Sequence, residues 1–187
     1  VSFIKLIYKI NFMKPVVLIL DVDGVLTDGK FYYTVDGKYL KAFGPDDSDA
    51  LGILDKLIEI RFVTGDKKGF EISKKRIVDD MGYKLDLVST INRLEWMKKK
   101  YNLDEIIFIG DGIFDYIALK EVGYSIVTSN GDSNSKKYAD FITKRSGGDR
   151  AVAEAVIHIL EKFFDGFDYN KKVSPEEISG EWSKWKF

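Results

Sequence analysis

Two aspartates separated by one residue, Asp21 and Asp23, are the first residues of the sequence whose types and spacing could do chemistry. They follow Val16–Leu20, a run of five apolar residues typical of a strand that is buried on both faces. Two neighbouring carboxylates are unfavourable unless a cation neutralises them. Carboxylate oxygens, water and a substrate phosphate are the ligands that Mg²⁺ prefers, and Gly24 would let the backbone approach a ligand closely. The pair therefore indicates a magnesium site at the end of a strand.

The same letters also begin an EF-hand calcium loop, which needs glycine at its sixth position and glutamate at its twelfth. Those positions hold Leu26 and Tyr32, so a calcium loop is excluded. The remaining structural alternative is a pair of aspartates that only caps a turn.

Two later apolar runs also end in polar residues. Thr64 and Gly65 end the first of them, and a hydroxyl group there could hold a phosphate oxygen. Asp111 and Asp115 stand four positions apart after the second, where one could bind a metal and the other support it. Each motif alone is common loop or helix-cap chemistry. Parallel strands end at one edge of a sheet, where ligands bind, so the combination predicts a single site.

Strand-like runs that alternate with helical ones predict an α/β fold with a Rossmann-like parallel sheet flanked by helices. The predicted strands are Val16–Leu20, Ile60–Val63, Leu85–Val88, Ile106–Ile109, Tyr124–Val127 and Phe141–Thr143. The predicted helices are one capped by Ser48 that carries Leu51, Leu54, Leu57 and Ile58, one over residues 70–81 that stops at Gly82, and Ile91–Tyr101, Ile113–Glu121 and Ala151–Phe164.

One segment interrupts this alternation directly after the first strand. Asp36 and Gly37 lie between two aromatic-rich runs and predict a β-hairpin over about residues 30–42. Its aromatic residues fit either a subunit interface or a hairpin folded over its own core. The intervals between the motifs are too short for a cap domain. We expect one domain over residues 1–164 and a tail over 165–187, which is either partly ordered or docked on a neighbouring subunit.

The bulk composition excludes several classes of protein. The 187 residues are 45% hydrophobic and 32% charged, as in an ordinary soluble domain. A net charge of −1 gives no reason to expect a nucleic-acid or membrane partner. The absence of cysteine excludes thiolate chemistry and fits a reducing compartment. The single histidine, His158, lies in a predicted helix away from the acidic motifs, so acid–base chemistry must come mainly from carboxylates.

The N-terminal segment Val1–Met13 is apolar but contains two lysines. It is too short to span a bilayer and lacks the cleavage site of a signal peptide. We therefore expect a cytoplasmic protein. Met13 resembles a natural start, so residues 1–12 are interpreted as an upstream extension.

The order Asp-x-Asp, Thr, Asp-x-x-x-Asp on three strand ends resembles the haloacid dehalogenase superfamily of phosphatases, over about Val16 to Phe164. The run Asp21–Gly29 is similar to a capless branch of sugar-acid phosphatases, which includes the 3-deoxy-D-manno-octulosonate 8-phosphate phosphatases. The resemblance implies a Mg²⁺-dependent phosphomonoester hydrolase that acts on a small phosphorylated metabolite. It also implies a homotetramer in which hairpins pack together and neighbouring subunits cover the site.

The resemblance assigns roles to the residues of the motifs. It implies that Asp21 is the nucleophile that receives the phosphoryl group, and that Asp23 protonates the leaving oxygen and then deprotonates water. It implies that Thr64 positions the phosphate. Asp111 completes a metal site with Asp21 and Asp23, and Asp115, Gly24 and Gly65 support it.

The sequence departs from this family at two places. Arg93 stands where the family has a lysine, with Lys98, Lys99 and Lys100 as alternatives. Asp66 stands where arginine usually follows Thr-Gly, which weakens the case for one particular carboxylated sugar. A nonulosonic acid 9-phosphate is as plausible a substrate as 3-deoxy-D-manno-octulosonate 8-phosphate. Arg150, after a Gly-Gly loop, is a candidate for substrate binding.

Two other functions are open to this sequence. One is a catalytically silent accessory subunit of a sugar-activating enzyme, although the intact aspartates and Thr64 favour an enzyme. The other is a binding module similar to response-regulator receivers, against which the Asp-x-Asp-Gly loop and the hairpin argue.

Overall fold

The computed structural model describes residues 14–164 and Asp168. Its centre is a sheet of six parallel strands in the order β5-β4-β1-β6-β7-β8. The strands of this sheet are β1 (Val17–Asp21), β4 (Glu59–Thr64), β5 (Lys84–Leu87), β6 (Ile106–Gly110), β7 (Tyr124–Val127) and β8 (Phe141–Ile142). The predicted α/β class and all six predicted strands are confirmed, with ends that shift by one residue in most strands.

Helices and helical turns cover both faces of the sheet. The α-helices are α1 (Asp46–Leu54), α2 (Phe70–Lys74), α3 (Arg93–Lys100), α4 (Tyr116–Leu119), α5 (Ser133–Lys136) and α6 (Ala151–Phe163). The α2 helix continues as a π-helical turn, Lys75–Asp80, and 3₁₀ turns at Thr90–Asn92 and Leu103–Glu105 precede α3 and β6. Within the described residues, none of the helices combines the length and the apolar character that a membrane span requires.

The core lies on two sides of β1, whose five residues are all buried. Leu18 and Leu20 pack into the cluster that includes α1 and α6. Val17 and Ile19 point to the opposite face, into the cluster that includes Met97 of α3. Burial on both faces explains the apolar run without polar alternation, and it fixes the position of the Asp21 carboxylate at the end of β1.

The hairpin predicted for residues 30–42 is present as β2 (Tyr32–Thr34) and β3 (Gly37–Leu40), a separate antiparallel sheet. Its aromatic side chains face solvent, with Tyr33 61% and Tyr39 68% exposed. The alternative of a hairpin folded over its own core is therefore wrong for these residues. Between β1 and β4 the chain forms only this hairpin and α1, which leaves no room for a cap domain there.

Local details differ from the sequence-based expectation. Helix α1 begins at Asp46, after Pro45, so Ser48 is not its cap. The fixed φ of proline suits a helix start, and acidic residues in the first turn complement the helix dipole. The helix predicted over 113–121 is shortened to α4 because residues 111–115 form a loop and turn after β6. The predictions for residues 1–13 and for the tail lie outside the described residues, apart from Asp168.

Candidate active site

The sheet topology brings the three motifs to one edge. Strand β1 lies between β4 and β6, and all three run in the same direction. Asp21 is the last residue of β1, Thr64 is the last of β4, and Asp111 follows β6 directly. Residues far apart in sequence thus become neighbours at the carboxyl ends of adjacent strands.

Three carboxylates form a compact cluster at this edge. Each of Asp21, Asp111 and Asp115 offers an oxygen atom, and these atoms lie within 4.8 Å of one another. Burial raises the pKa of Asp111 to about 8, and the charges of Asp21 and Asp115 add to this effect. Burial likewise raises the pKa of Asp21, although Arg93 opposes the shift. The cluster holds more negative charge than its protein surroundings stabilise.

A cation fits this cluster. The buried Oδ1 atom of Asp111 has no hydrogen-bond partner among the described residues, and an orphaned buried acceptor is costly. The donors are all carboxylate oxygens, which are hard ligands that suit Mg²⁺. Asp115 is the least available of the three, because its Oδ2 accepts the backbone N–H groups of Asp111 and Gly112, at 3.0 and 2.8 Å. Asp21 and Asp111 are therefore the side chains best placed to hold the ion.

Arg93 is the cation that the protein itself supplies. It is the first residue of α3, and only 1% of it is exposed. Its Nη1 donates to Oδ2 of Asp21 at 2.8 Å and to Oδ1 of Asp115 at 2.7 Å. The structure thus places Arg93 in the site, whereas Lys98 pairs with Glu95 on the surface of the same helix.

Asp23 has different partners from Asp21, although one residue separates them. Its two carboxylate oxygens lie 2.7 and 3.0 Å from Nζ of Lys41, and the hydroxyl of Thr64 donates to Oδ2 at 3.3 Å. Burial raises the pKa of Asp23, and the hydrogen bond from Lys41 offsets part of that shift. The carboxylate of Asp23 does not join the cluster. Lys41 and Thr64 hold its side chain in this position, and the predicted part of Asp23 in metal ligation stays a prediction.

Two lysines near Asp23, Lys38 and Lys41, were not predicted from the sequence. Lys41 follows β3, its side chain is fully buried, and its Nζ also contacts Asp66 at 2.9 Å and Oγ of Ser73 at 2.9 Å. Lys38 lies 2.5 Å from the same oxygen of Asp66. Burial alone would raise the pKa of Asp66, but its bonds to both lysines hold the pKa below its usual value. In the sequence, lysines of a hairpin are expected to face solvent, so no local pattern predicted that these two would contact Asp66.

Gly24 is required by close packing. Its φ is +93°, and a Cβ atom there would lie 1.9 Å from Oδ2 of Asp111. Its carbonyl accepts hydrogen bonds from Thr128 and Asn130, at 3.1 and 3.0 Å, which fixes the loop after β1. Gly65 is different: it is exposed, and a Cβ atom there would meet its nearest neighbour at 3.7 Å. Packing therefore does not require glycine at position 65.

Arg150 and His158 lie outside the carboxylate cluster. Arg150 has a left-handed backbone conformation, and its Nε pairs with Asp46 at the start of α1. Its role in substrate binding stays a prediction. His158 contacts the hydroxyl of Tyr124 at 2.7 Å and stacks on Phe141 with the ring centroids 3.8 Å apart. These contacts give His158 a structural role, as the sequence indicated.

Comparison with known proteins gives consistent results. The haloacid dehalogenase-like hydrolase family matches residues 56–156. The chain is similar to 3-deoxy-D-manno-octulosonate 8-phosphate phosphatase of Escherichia coli K12, with 30% identity over 73% of this chain and 74% of that protein. It also resembles the cobalt-bound phosphatase of the same specificity from Haemophilus influenzae: identity 28%, TM-score 0.71, covering 87% of this chain and 96% of the other. A second similar structure is the Moraxella catarrhalis phosphatase in complex with magnesium, phosphate and KDO, with 26% identity and a TM-score of 0.65, covering 86% of this chain and 93% of the other.

Proposed function

This chain belongs to the haloacid dehalogenase-like hydrolase family and is a phosphatase, and we propose that it hydrolyses a sugar-acid phosphate through an aspartyl-phosphate on Asp21. The observation that carries the proposal is that two neighbouring aspartates have different surroundings. Asp21 lies in the carboxylate cluster beside Arg93, and Asp23 lies outside it beside Thr64 and Lys41. One environment suits a nucleophile and the other an acid–base group.

In the first proposed step, a carboxylate oxygen of Asp21 attacks phosphorus while the bond from phosphorus to the sugar oxygen breaks. Asp23 gives its proton to that leaving oxygen, which departs as an alcohol. Arg93 offsets negative charge next to the transferring group, and the hydroxyl of Thr64 lies beside Asp23, where it can position a phosphoryl oxygen.

In the second step, water attacks phosphorus and the bond from phosphorus to Asp21 breaks. Asp23 accepts the proton that the water loses, so both aspartates return to their starting states. The products are the free sugar acid and inorganic phosphate. Splitting the reaction in this way replaces one difficult displacement by two easier ones.

Asp21 and Asp111, supported by Asp115, are the residues that would hold a divalent cation, which we propose is Mg²⁺. When bound, such an ion supplies charge neutralisation for the phosphoryl group. Asp115 holds the loop in place through its hydrogen bonds to the backbone of Asp111 and Gly112. It also positions Arg93.

The substrate proposed is 3-deoxy-D-manno-octulosonate 8-phosphate or a nonulosonic acid 9-phosphate. The names of the relatives support the first. The pairing of Lys38 and Lys41 with Asp66 does not favour either substrate, because both carry a carboxylate group, so the second stays open. Comparing kcat/KM for the two substrates distinguishes them.

The assembly proposed is a homotetramer that forms through the hairpin, in a reducing compartment such as the cytoplasm. The exposed aromatic residues Tyr33 and Tyr39 support this, because exposed aromatic side chains favour a partner surface. Light scattering on the double variant Tyr33→Glu and Tyr39→Glu tests it. We expect a smaller particle, and an unchanged mass would contradict the proposal.

The mechanism is tested by measuring phosphate release from p-nitrophenyl phosphate with Mg²⁺. Asp21→Asn should fall below roughly 10⁻³ of the parent rate, because the nucleophile is lost. Asp28→Asn is the matched control, since Asp28 lies in the same loop and its side chain bonds only to Lys30 within the described part of the chain. Activity of Asp21→Asn within tenfold of the parent would refute the aspartyl-phosphate.

A further inference from the structure

The buried ammonium group of Lys41 is not explained by the reaction described so far. None of its side chain is exposed, and its Nζ contacts three elements of the fold. It meets Asp23 after β1, Asp66 after β4, and Ser73 in α2. Burying a charged amine is costly unless it is paired and hydrogen-bonded, so these contacts hold the group in one place.

The anchors of Lys41 are themselves held. Oδ1 of Asp66 accepts the backbone N–H of Gly69 at 3.0 Å, and Oγ of Ser73 donates to the carbonyl of Gly69 at 3.4 Å. The backbone N–H of Asp66 donates to Oγ1 of Thr64 at 3.0 Å. Lys41 therefore connects Asp23 to a rigid group of atoms that includes the end of β4.

This arrangement determines where the carboxyl group of Asp23 points. Thr64 donates to one oxygen of Asp23, and Lys41 lies within 3.0 Å of both. Without Lys41, the hydroxyl of Thr64 would be the sole side-chain donor found for that carboxyl group in the described part of the chain. One long hydrogen bond leaves the side chain free to rotate.

We propose that Lys41 is a positioning residue of the phosphatase: anchored by Asp66 and Ser73, it orients Asp23 for proton transfer to the leaving oxygen. The inference rests on the proposed function, in which Asp23 is the acid. Lys41 acts through Asp23 and does not itself transfer a proton. The catalytic group would thus depend on a lysine from the hairpin, which lies outside the main sheet.

A positioning role predicts a dependence on the leaving group that a structural role does not. Phenyl phosphate and p-nitrophenyl phosphate have similar shapes, but the nitro group stabilises the departing anion and reduces its need for a proton. Their kcat/KM values report the steps up to loss of the leaving group. A misplaced Asp23 should therefore slow phenyl phosphate more.

The test compares Lys41→Met with the parent in saturating Mg²⁺. We expect kcat/KM to fall roughly 10²-fold on phenyl phosphate, the lower end of the range of general acid catalysis, and only about tenfold on p-nitrophenyl phosphate. Lys41→Arg, which keeps a cation, should recover at least half of the logarithmic loss. Lys38→Met is the matched control: it removes a lysine of the same hairpin that contacts Asp66. It should leave the ratio of the two substrates within about twofold.

Thermal melting of each variant shows that the protein compared is folded. Equal losses on the two substrates would overturn the proposal, as would the same change of ratio in Lys38→Met. Failure of the proposed function has a separate signature, since Asp21→Asn would then stay active. If Asp21→Asn is inactive while Lys41→Met lowers both substrates equally, the phosphatase mechanism stands and the role of Lys41 is refuted.

Discussion

Replacing Arg93 by methionine tests the electrostatics of the site most directly. The side chain is buried, and its Nη1 lies 2.8 Å from Oδ2 of Asp21 and 2.7 Å from Oδ1 of Asp115. Arg93→Met keeps most of the apolar stem and removes the charge. It leaves Asp21, Asp111 and Asp115 clustered without the protein's own cation.

The expected cost follows from burial. Removing one partner of a buried ion pair typically costs about 3–5 kcal/mol, because the remaining charge is left uncompensated. For a chain of this size that corresponds to a loss of roughly 6–20 °C in Tm. Mg²⁺ should restore part of it: an ion at 100 times its Kd contributes about 2.7 kcal/mol. The gain should be larger in the variant than in the parent, because the cluster of the variant carries one more uncompensated charge.

Urea unfolding with chelator and with Mg²⁺ measures both effects. Lys98→Met is the control on the same helix, and its exposed pair with Glu95 should contribute less than about 1 kcal/mol. Arg93→Lys keeps the charge on a shorter reach and should lie between Arg93→Met and the parent. An Arg93→Met protein within 1 kcal/mol of the parent in chelator would show that the guanidinium does not stabilise this cluster.

Three further predictions concern the loop, the metal and the pH dependence of stability. Gly24→Ala should weaken Mg²⁺ binding and activity by roughly 10–100-fold, because its Cβ would collide with Asp111. Gly44→Ala, whose Cβ meets its nearest neighbour at 3.7 Å, should change neither by more than twofold. Asp111→Asn should abolish the shift in Tm that Mg²⁺ produces, and a shift of full size would exclude Asp111 as a ligand. Burial raises the pKa of Asp47 from 3.8 to about 6, so its contribution to stability is full below pH 3.8 and is lost as pH rises through 6. Asp47→Asn should therefore gain up to roughly 3 kcal/mol on the parent between pH 4 and 7.5 by urea unfolding, and parallel curves would contradict this.

Much of the site could be predicted from sequence because its residues are tied to strand ends. The apolar run before Asp21 predicts a strand buried on both faces, and the structure places the four apolar residues of β1 in the core. The runs before Thr64 and Asp111 are likewise strands β4 and β6. Once three strands are parallel and adjacent, their carboxyl ends must converge, so the meeting of these residues follows from the backbone alone.

The partners of Asp23 could not be predicted in the same way. Lys41 reaches the site from a hairpin that belongs to a separate sheet, so no shared strand register places it beside Asp23. Asp66 is a departure from the expected arginine, and its meaning depends on Lys38 and Lys41, which lie more than twenty residues earlier in the chain. Contacts of this kind depend on side-chain conformation and on hairpin orientation, which the pattern of apolar residues does not encode.

The two aspartates of the first motif show how one short loop can support two chemical roles. In β1 alternate side chains point to opposite faces, but Asp23 lies beyond the strand end, where the loop turns through Gly24 at a positive φ. Asp21 contacts Arg93 and Asp23 contacts Lys41, so the two carboxylates pair with different cations. If both faced one cation, their titrations would be coupled more strongly. The separation of the cations is what the proposed mechanism requires, in which Asp21 is the nucleophile and Asp23 exchanges a proton.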